Sequence, residues 1–183
     1  MASKQKTKGS NFEREVARLL TDLFKVGTFT KTQGSGSYFG GKNQARLNST
    51  ENANSTIKLL RGDIIPPDYI NLVVECKCHN DFGSSFKGII SGTNSKLTSW
   101  LKEVHYDSNY NEIPNMLIFK ITDNSGLIYF ALPTKHFRHS IFENTPRALF
   151  YLDNPHTEYL IVEYKNIIPL SIRLLEVIQD DLN

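Results

Sequence analysis

Glu75 and Lys77 stand two apart in Leu72-Val73-Val74-Glu75-Cys76-Lys77. The apolar, β-branched character of this run and its closure by His79-Asn80-Asp81 predict a strand. Alternate residues of a strand share a face. Glu75 and Lys77 therefore project together, and Val74, Cys76 and Cys78 face the other way. Asp63 lies twelve positions before Glu75, behind Arg61-Gly62 and at the opening of Ile64-Ile65. A short strand there, followed by a turn at Pro66-Pro67-Asp68, brings Asp63 beside Glu75. Two carboxylates and an amine on one sheet edge make a site for a hard divalent cation. The lysine beside it is placed for acid–base work or for stabilising charge.

The elements that must position these groups are legible in turn. Ser10 is a good helix N-cap, and Glu13 three residues later completes a capping box. Phe12, Val16, Leu19, Leu20 and Leu23 form the apolar stripe of that helix, and Gly27 is expected to end it. Glu13 has two readings: the capping residue, or a carboxylate reaching the cation site from a helix packed on the sheet. Thr28 to Thr32 alternates like a strand. Gln33 to Gly41 holds four glycines with Ser35 and Ser37 between them, a loop whose backbone N–H groups and hydroxyls could approach a phosphate. A plain flexible connection is the competing reading. The polar stretch that follows, with Lys42 and Arg46, predicts a mobile loop over residues 38–58. Beyond the central strand, Asn94 or Ser95 caps a helix bearing Leu97, Trp100, Leu101 and Val104. Strands are expected at 115–122 and 127–132, joined by the turn Asp123-Asn124-Ser125-Gly126, and again at 148–152 and 158–164. Pro169 opens a final helix through Leu170, Leu174, Val177 and Ile178.

Composition narrows the class. A chain of 183 residues is expected to form one domain with a sizeable core. No apolar run reaches the roughly 18 residues of a membrane span. The basic N-terminus has no apolar core of the secretory kind, and residues 1–9 read as a flexible basic tail. Cys76 and Cys78 are too close on one strand to pair, and are expected to be reduced core residues of a cytoplasmic protein. The net charge of +2 hides an asymmetry: residues 1–62 carry eleven Lys/Arg against four Asp/Glu, or +7, and the remainder ten against fifteen, or −5. The basic half reads as a phosphate-binding surface suited to nucleic acid, against the plainer reading of a solvated charged face. The five histidines are scattered, and there is no P-loop, nucleophile elbow or dinucleotide fingerprint.

Glu13 on a first helix, Asp63, and Glu75-Cys76-Lys77 together resemble the PD-(D/E)XK nuclease pattern, with Gly62 where a proline usually precedes the aspartate. The opening Lys8-Gly9-Ser10-Asn11-Phe12-Glu13-Arg14-Glu15 looks like that of archaeal Holliday junction resolvases and related phage and bacterial endonucleases. Gly34-Ser35-Gly36-Ser37 resembles the serine-containing loop that follows their first helix and strand. The likeness covers roughly residues 8–80. The segment between Ser37 and Asp63 is longer than in compact archaeal resolvases, and nothing after Lys77 carries a matching signature. The resemblance implies an α/β, restriction-endonuclease-like fold, a central mixed β-sheet flanked by helices, in a single nuclease domain over 1–183. It implies a metal-dependent endodeoxyribonuclease of resolvase type, using Mg²⁺ or Mn²⁺. Asp63, Glu75, the Cys76 carbonyl and Glu13 would ligate the metal, Lys77 would act on the attacking water or the transition state, and Ser35 would contact the scissile phosphate. Lys8, Lys31, Ser35, Ser37, Lys42, Arg46 and Arg61 are the expected DNA contacts. The expected partners are branched duplex DNA and a second copy in a homodimer, with no membrane, in the cytoplasm, for a phage protein that of the host. A restriction-like, homing or replication/repair nuclease on the same fold is the alternative, as is an inactive DNA-binding module. A structural protein with an ion-paired strand would have to explain Glu13, Asp63, Glu75 and Lys77 as coincidences.

Overall fold

The alternation of apolar residues along the central strands builds a sheet with two greasy faces, and the helices cover both. The computed structural model describes residues 4–32, 62–79, 95–108, 113–122, 126–151 and 158–179. The strands are β1 (Thr30–Lys31), β2 (Ile64–Ile65), β3 (Val73–His79), β4 (Asn115–Ile121), β5 (Ile128–Pro133), β6 (Ala148–Tyr151) and β7 (Glu158–Glu163). They form one seven-stranded sheet in the order β1-β2-β3-β4-β5-β7-β6. Only the β3–β4 pair is parallel, so the sheet is mixed.

One face carries Val74, Cys76, Met116, Ile118, Phe130, Leu132, Leu160 and Val162. Helix α1 (Lys4–Phe24) lays Phe12, Val16, Ala17, Leu20, Leu23 and Phe24 on it. A short helical turn α3 (Tyr164–Ile167), a 3-10 turn at Ile168–Leu170 and helix α4 (Ser171–Gln179) complete that layer with Ile167, Leu174 and Ile178. The opposite face carries Leu117, Phe119, Ile121, Tyr129, Ala131, Tyr159 and Ile161, and helix α2 (Ser95–Ser108) covers it with Leu97, Leu101 and Val104. The result is the expected helix–sheet–helix architecture. Both cysteines are free thiols, with Cys76 turned to the α1 face as strand alternation requires. Among the described residues no helix is long and apolar enough to cross a membrane.

The beginning of α1 differs from expectation. The helix starts at Lys4, so Ser10 and Glu13 lie inside it and form no capping box, and residues 4–9 are helical rather than an open tail. Tertiary contacts support the extra turns: Lys8 Nζ donates to Thr122 Oγ1 at 2.7 Å, and Ser10 Oγ accepts from Lys31 Nζ at 3.0 Å. At the other end the left-handed residue that stops the helix is Lys25, with φ +54°, two residues before Gly27. Gly27, at φ +147°, instead turns the chain under Pro67 and Tyr69. Ser35, Ser37, Lys42, Arg46, Arg61, the loop 38–58 and most of the turn 123–126 lie outside the described residues.

Candidate active site

Asp63 is set by its backbone before its carboxylate does anything. The chain enters β2 through Gly62, whose φ is +84°. A Cβ at Gly62 would stand 2.6 Å from the Val74 carbonyl oxygen, so no side chain fits there. The Asp63 N–H donates to the Val74 carbonyl at 2.8 Å, and the Asp63 carbonyl accepts the Thr32 N–H at 2.9 Å. Thr32 also donates its hydroxyl to the Gly62 carbonyl at 3.1 Å. With both backbone groups tied, the carboxylate turns toward β3, and Oδ2 accepts the Cys76 N–H at 2.9 Å. In an antiparallel ladder a residue's N–H and carbonyl address the same neighbour. The Cys76 carbonyl therefore faces the edge that Asp63 occupies.

Glu75 and Lys77 project from β3 toward the α2 side. Asp63 and Glu75 are each only 7% exposed, and their carboxyl groups adjoin each other. Burial pushes the Glu75 carboxyl well above the usual carboxylate range; the adjacent Asp63 adds to this and Lys77 opposes it. Burial raises Asp63 as well, against the pull of the Cys76 N–H and with a contribution from the Glu13 charge. Burial alone would lower the Lys77 amine, but Glu75 and Glu103 outweigh it and hold it above its ordinary value. Lys77 Nζ lies 3.8 Å from Glu75 Oε2 and 3.0 Å from Glu103 Oε2. Glu103 comes from α2 and had no place in the sequence reading. It sits beside the apolar stripe of that helix, where an acidic residue is ordinarily a solvent-facing one.

Glu13 is brought to the neighbourhood but has its own cation. Lys31 Nζ lies 2.6 Å from Glu13 Oε2, although the approach is off the line of a well-formed hydrogen bond and that oxygen is buried without one. Lys8 and Lys31, expected to contact DNA, are here engaged by Thr122 and by Glu13 with Ser10. Among the described residues no three of His, Cys, Asp and Glu gather closely enough to cage a metal ion unaided. The Asp63–Glu75 pair nevertheless fits a hard divalent cation. It offers two adjacent carboxyl groups with hard oxygens, both raised above their ordinary range by burial, which a divalent charge would offset. One or two carboxylates, with waters and a substrate phosphate, are the usual Mg²⁺ donor set.

Residues 4–172 match the model of the family described as "Phage putative PDDEXK endonuclease". The chain belongs to this PD-(D/E)XK family. The match runs from the first turn of α1 into α4, so the whole sheet and both helical layers are family structure. No curated protein and no solved structure matches the chain significantly. Nucleases of the PD-(D/E)XK kind act on DNA and generally use divalent metals. The matched span includes Gly62-Asp63, just before β2, and Glu75-Cys76-Lys77 on β3.

Proposed function

We propose that this chain is a single-domain, Mg²⁺- or Mn²⁺-dependent DNA endonuclease that hydrolyses phosphodiester bonds in branched duplex DNA, as a homodimer in the host cytoplasm. The observation that carries the chemistry is the carboxylate pair: Asp63 fixed by the Cys76 N–H at 2.9 Å and buried beside Glu75, with the Lys77 ammonium 3.8 Å from Glu75. Asp63, Glu75 and the Cys76 carbonyl would hold the cation, and Glu13 would join through water. A divalent cation bound there supplies a Lewis acid for the phosphoryl oxygen and an acidified water. Lys77 directs a persistent positive charge at the same edge, where it can orient the attacking water and stabilise the developing negative charge. Ser35 would touch the scissile phosphate, and Ser37, Lys42, Arg46, Arg61, Lys8 and Lys31 its neighbours. The preference for branched DNA and the dimer rest on the resolvase-like opening of residues 8–15, since a four-way junction presents two strands for symmetric cutting and twofold dimers are the commonest oligomers.

The test compares cleavage of a four-way junction, linear duplex, flap and single strand in Mg²⁺. The junction is expected to be cut fastest, by paired incisions. Asp63→Asn is expected to abolish cutting while preserving the fold, and Lys77→Met to slow single-turnover cleavage by about 10²–10³-fold, the usual worth of a donor aimed at developing charge. Full activity in excess chelator would remove the metal from the reaction. Equal rates on all four substrates would remove the junction preference.

A further inference from the structure

Resting on the reading of the Asp63–Glu75 edge as a cation site, we propose that Glu103 is a positioning residue that holds the Lys77 ammonium off Glu75 and so keeps the Glu75 carboxylate open to a divalent cation. Lys77 Nζ stands between two carboxylates, at 3.0 Å from Glu103 Oε2 and 3.8 Å from Glu75 Oε2. The nearer partner is the more exposed one, with 53% of its side chain accessible against 10% for Glu75. Opposite charges attract more strongly where water is excluded, so without Glu103 the ammonium closes onto buried Glu75. There it occupies the oxygen that a cation needs, and a lysine and a metal ion repel at one carboxylate.

Helix α2 delivers Glu103 to this position. Leu97, Leu101 and Val104 are buried against the sheet, the Lys96 ammonium meets His79 Nε2, and the Trp100 ring stands edge-on to His79 at 6.2 Å. These contacts register α2 antiparallel to β3, with residues 96 and 100 at His79 and residue 103 at Lys77. Glu103 is held in place by its helix, and its side chain need only span the gap. A surface ion pair serving stability alone is worth little, and any direct pull of Glu103 on a cation is the same with or without Lys77, which separates the two roles.

The experiment measures Mn²⁺ binding to DNA-free protein by titration calorimetry for the wild type, Glu103→Gln, Lys77→Met and the double variant, with melting curves and single-turnover cleavage alongside. Glu103→Gln is expected to raise the Mn²⁺ dissociation constant about three- to fivefold, the factor that the loss of one half-exposed ion pair corresponds to. It is also expected to slow cleavage at saturating Mn²⁺. In the Lys77→Met background the same substitution is expected to weaken binding less, because only the direct pull of the Glu103 charge on the site is then lost. Wild-type Mn²⁺ affinity in Glu103→Gln overturns the proposal, as does an equal weakening with and without Lys77. A wild-type protein that binds no Mn²⁺ overturns the cation-site reading itself, whereas Mn²⁺ binding that ignores Glu103 overturns the role of Glu103 alone.

Discussion

Asp63 and Glu75 are buried carboxyl groups, and burial of such a group is costly. Both are held above their ordinary range by that burial, which disfavours the charged form. The native state then keeps a proton that the unfolded chain releases near the usual carboxylate range. By linkage, stability falls with rising pH wherever the native state binds more protons than the unfolded one. The pair's contribution is therefore fully present at low pH and is lost as pH climbs from about 4, the unperturbed carboxylate value, through the raised native values. The metal-free protein is expected to melt at progressively lower temperature as pH is raised through that window. The decline should be shallower in Asp63→Asn, and flattened by Mg²⁺, which supplies the missing positive charge. Melting curves in chelator and in Mg²⁺ check this, and a chelated protein whose wild-type and Asp63→Asn profiles run parallel would contradict it. Cys76, on the same strand as Glu75 but the opposite face, has its thiol pushed well up by burial, so it serves the site through its backbone N–H rather than a reactive sulfur.

At the scale of elements, the site depends on how closely β2 rides on β3. That approach runs through Gly62, where φ is +84° and a Cβ would collide with the Val74 carbonyl at 2.6 Å. A proline at this position could not adopt that φ. Gly62→Ala is expected to destabilise the fold by at least about 1–2 kcal/mol, the cost of a left-handed L-residue, with the clash added. The larger effect is expected on function, because β2 must shift and carry Asp63 off the Cys76 N–H. Urea denaturation measures the first effect and Mn²⁺ binding the second. Unchanged Mn²⁺ affinity in a folded Gly62→Ala protein would show that Asp63 is positioned by something other than this approach. The same logic explains why α1 begins early. Its first turns are held by Lys8 on Thr122, from the loop after β4, and its charge is answered by Lys120, which pairs with Glu15 at 2.7 Å.

For the whole molecule, charge and layer order act together. The basic excess of residues 1–62, +7 against −5 for the rest, includes exposed Arg14 and Arg18 on α1 and Lys25 just after it. Several other cations are already spoken for: Lys8, Lys31, Lys77 and Lys120 each have a protein partner. Each phosphate neutralised by the remaining cations releases condensed counterions, so DNA affinity is expected to fall at least about tenfold between roughly 50 and 200 mM salt. Binding isotherms at several salt concentrations check this, and a constant affinity would detach the basic half from DNA binding. Because α1 is anchored through Lys8, charge-neutral substitutions at Arg14 and Arg18 are a cleaner probe of this surface than removal of the N-terminus.

Local periodicity by itself determined a good part of this protein. The two-residue period of β3 put Glu75 and Lys77 on one side and Cys76 on the other, and the stripes of α1 and α2 named the residues that now cover the two faces of the sheet. Asp63 beside Glu75 was also legible, because a short strand and a turn leave few ways to return. The start of α1 was not, because Ser10 and Glu13 make a plausible cap on their own and only the contacts of Lys8 and Ser10 with distant strands extend the helix. The pairing of Glu13 with Lys31 and of Lys77 with Glu103 was invisible for the same reason. Side chains on separate elements meet according to strand order and helix register. Those are decided when two apolar faces interlock across the sheet, and no local pattern of residue types carries that information.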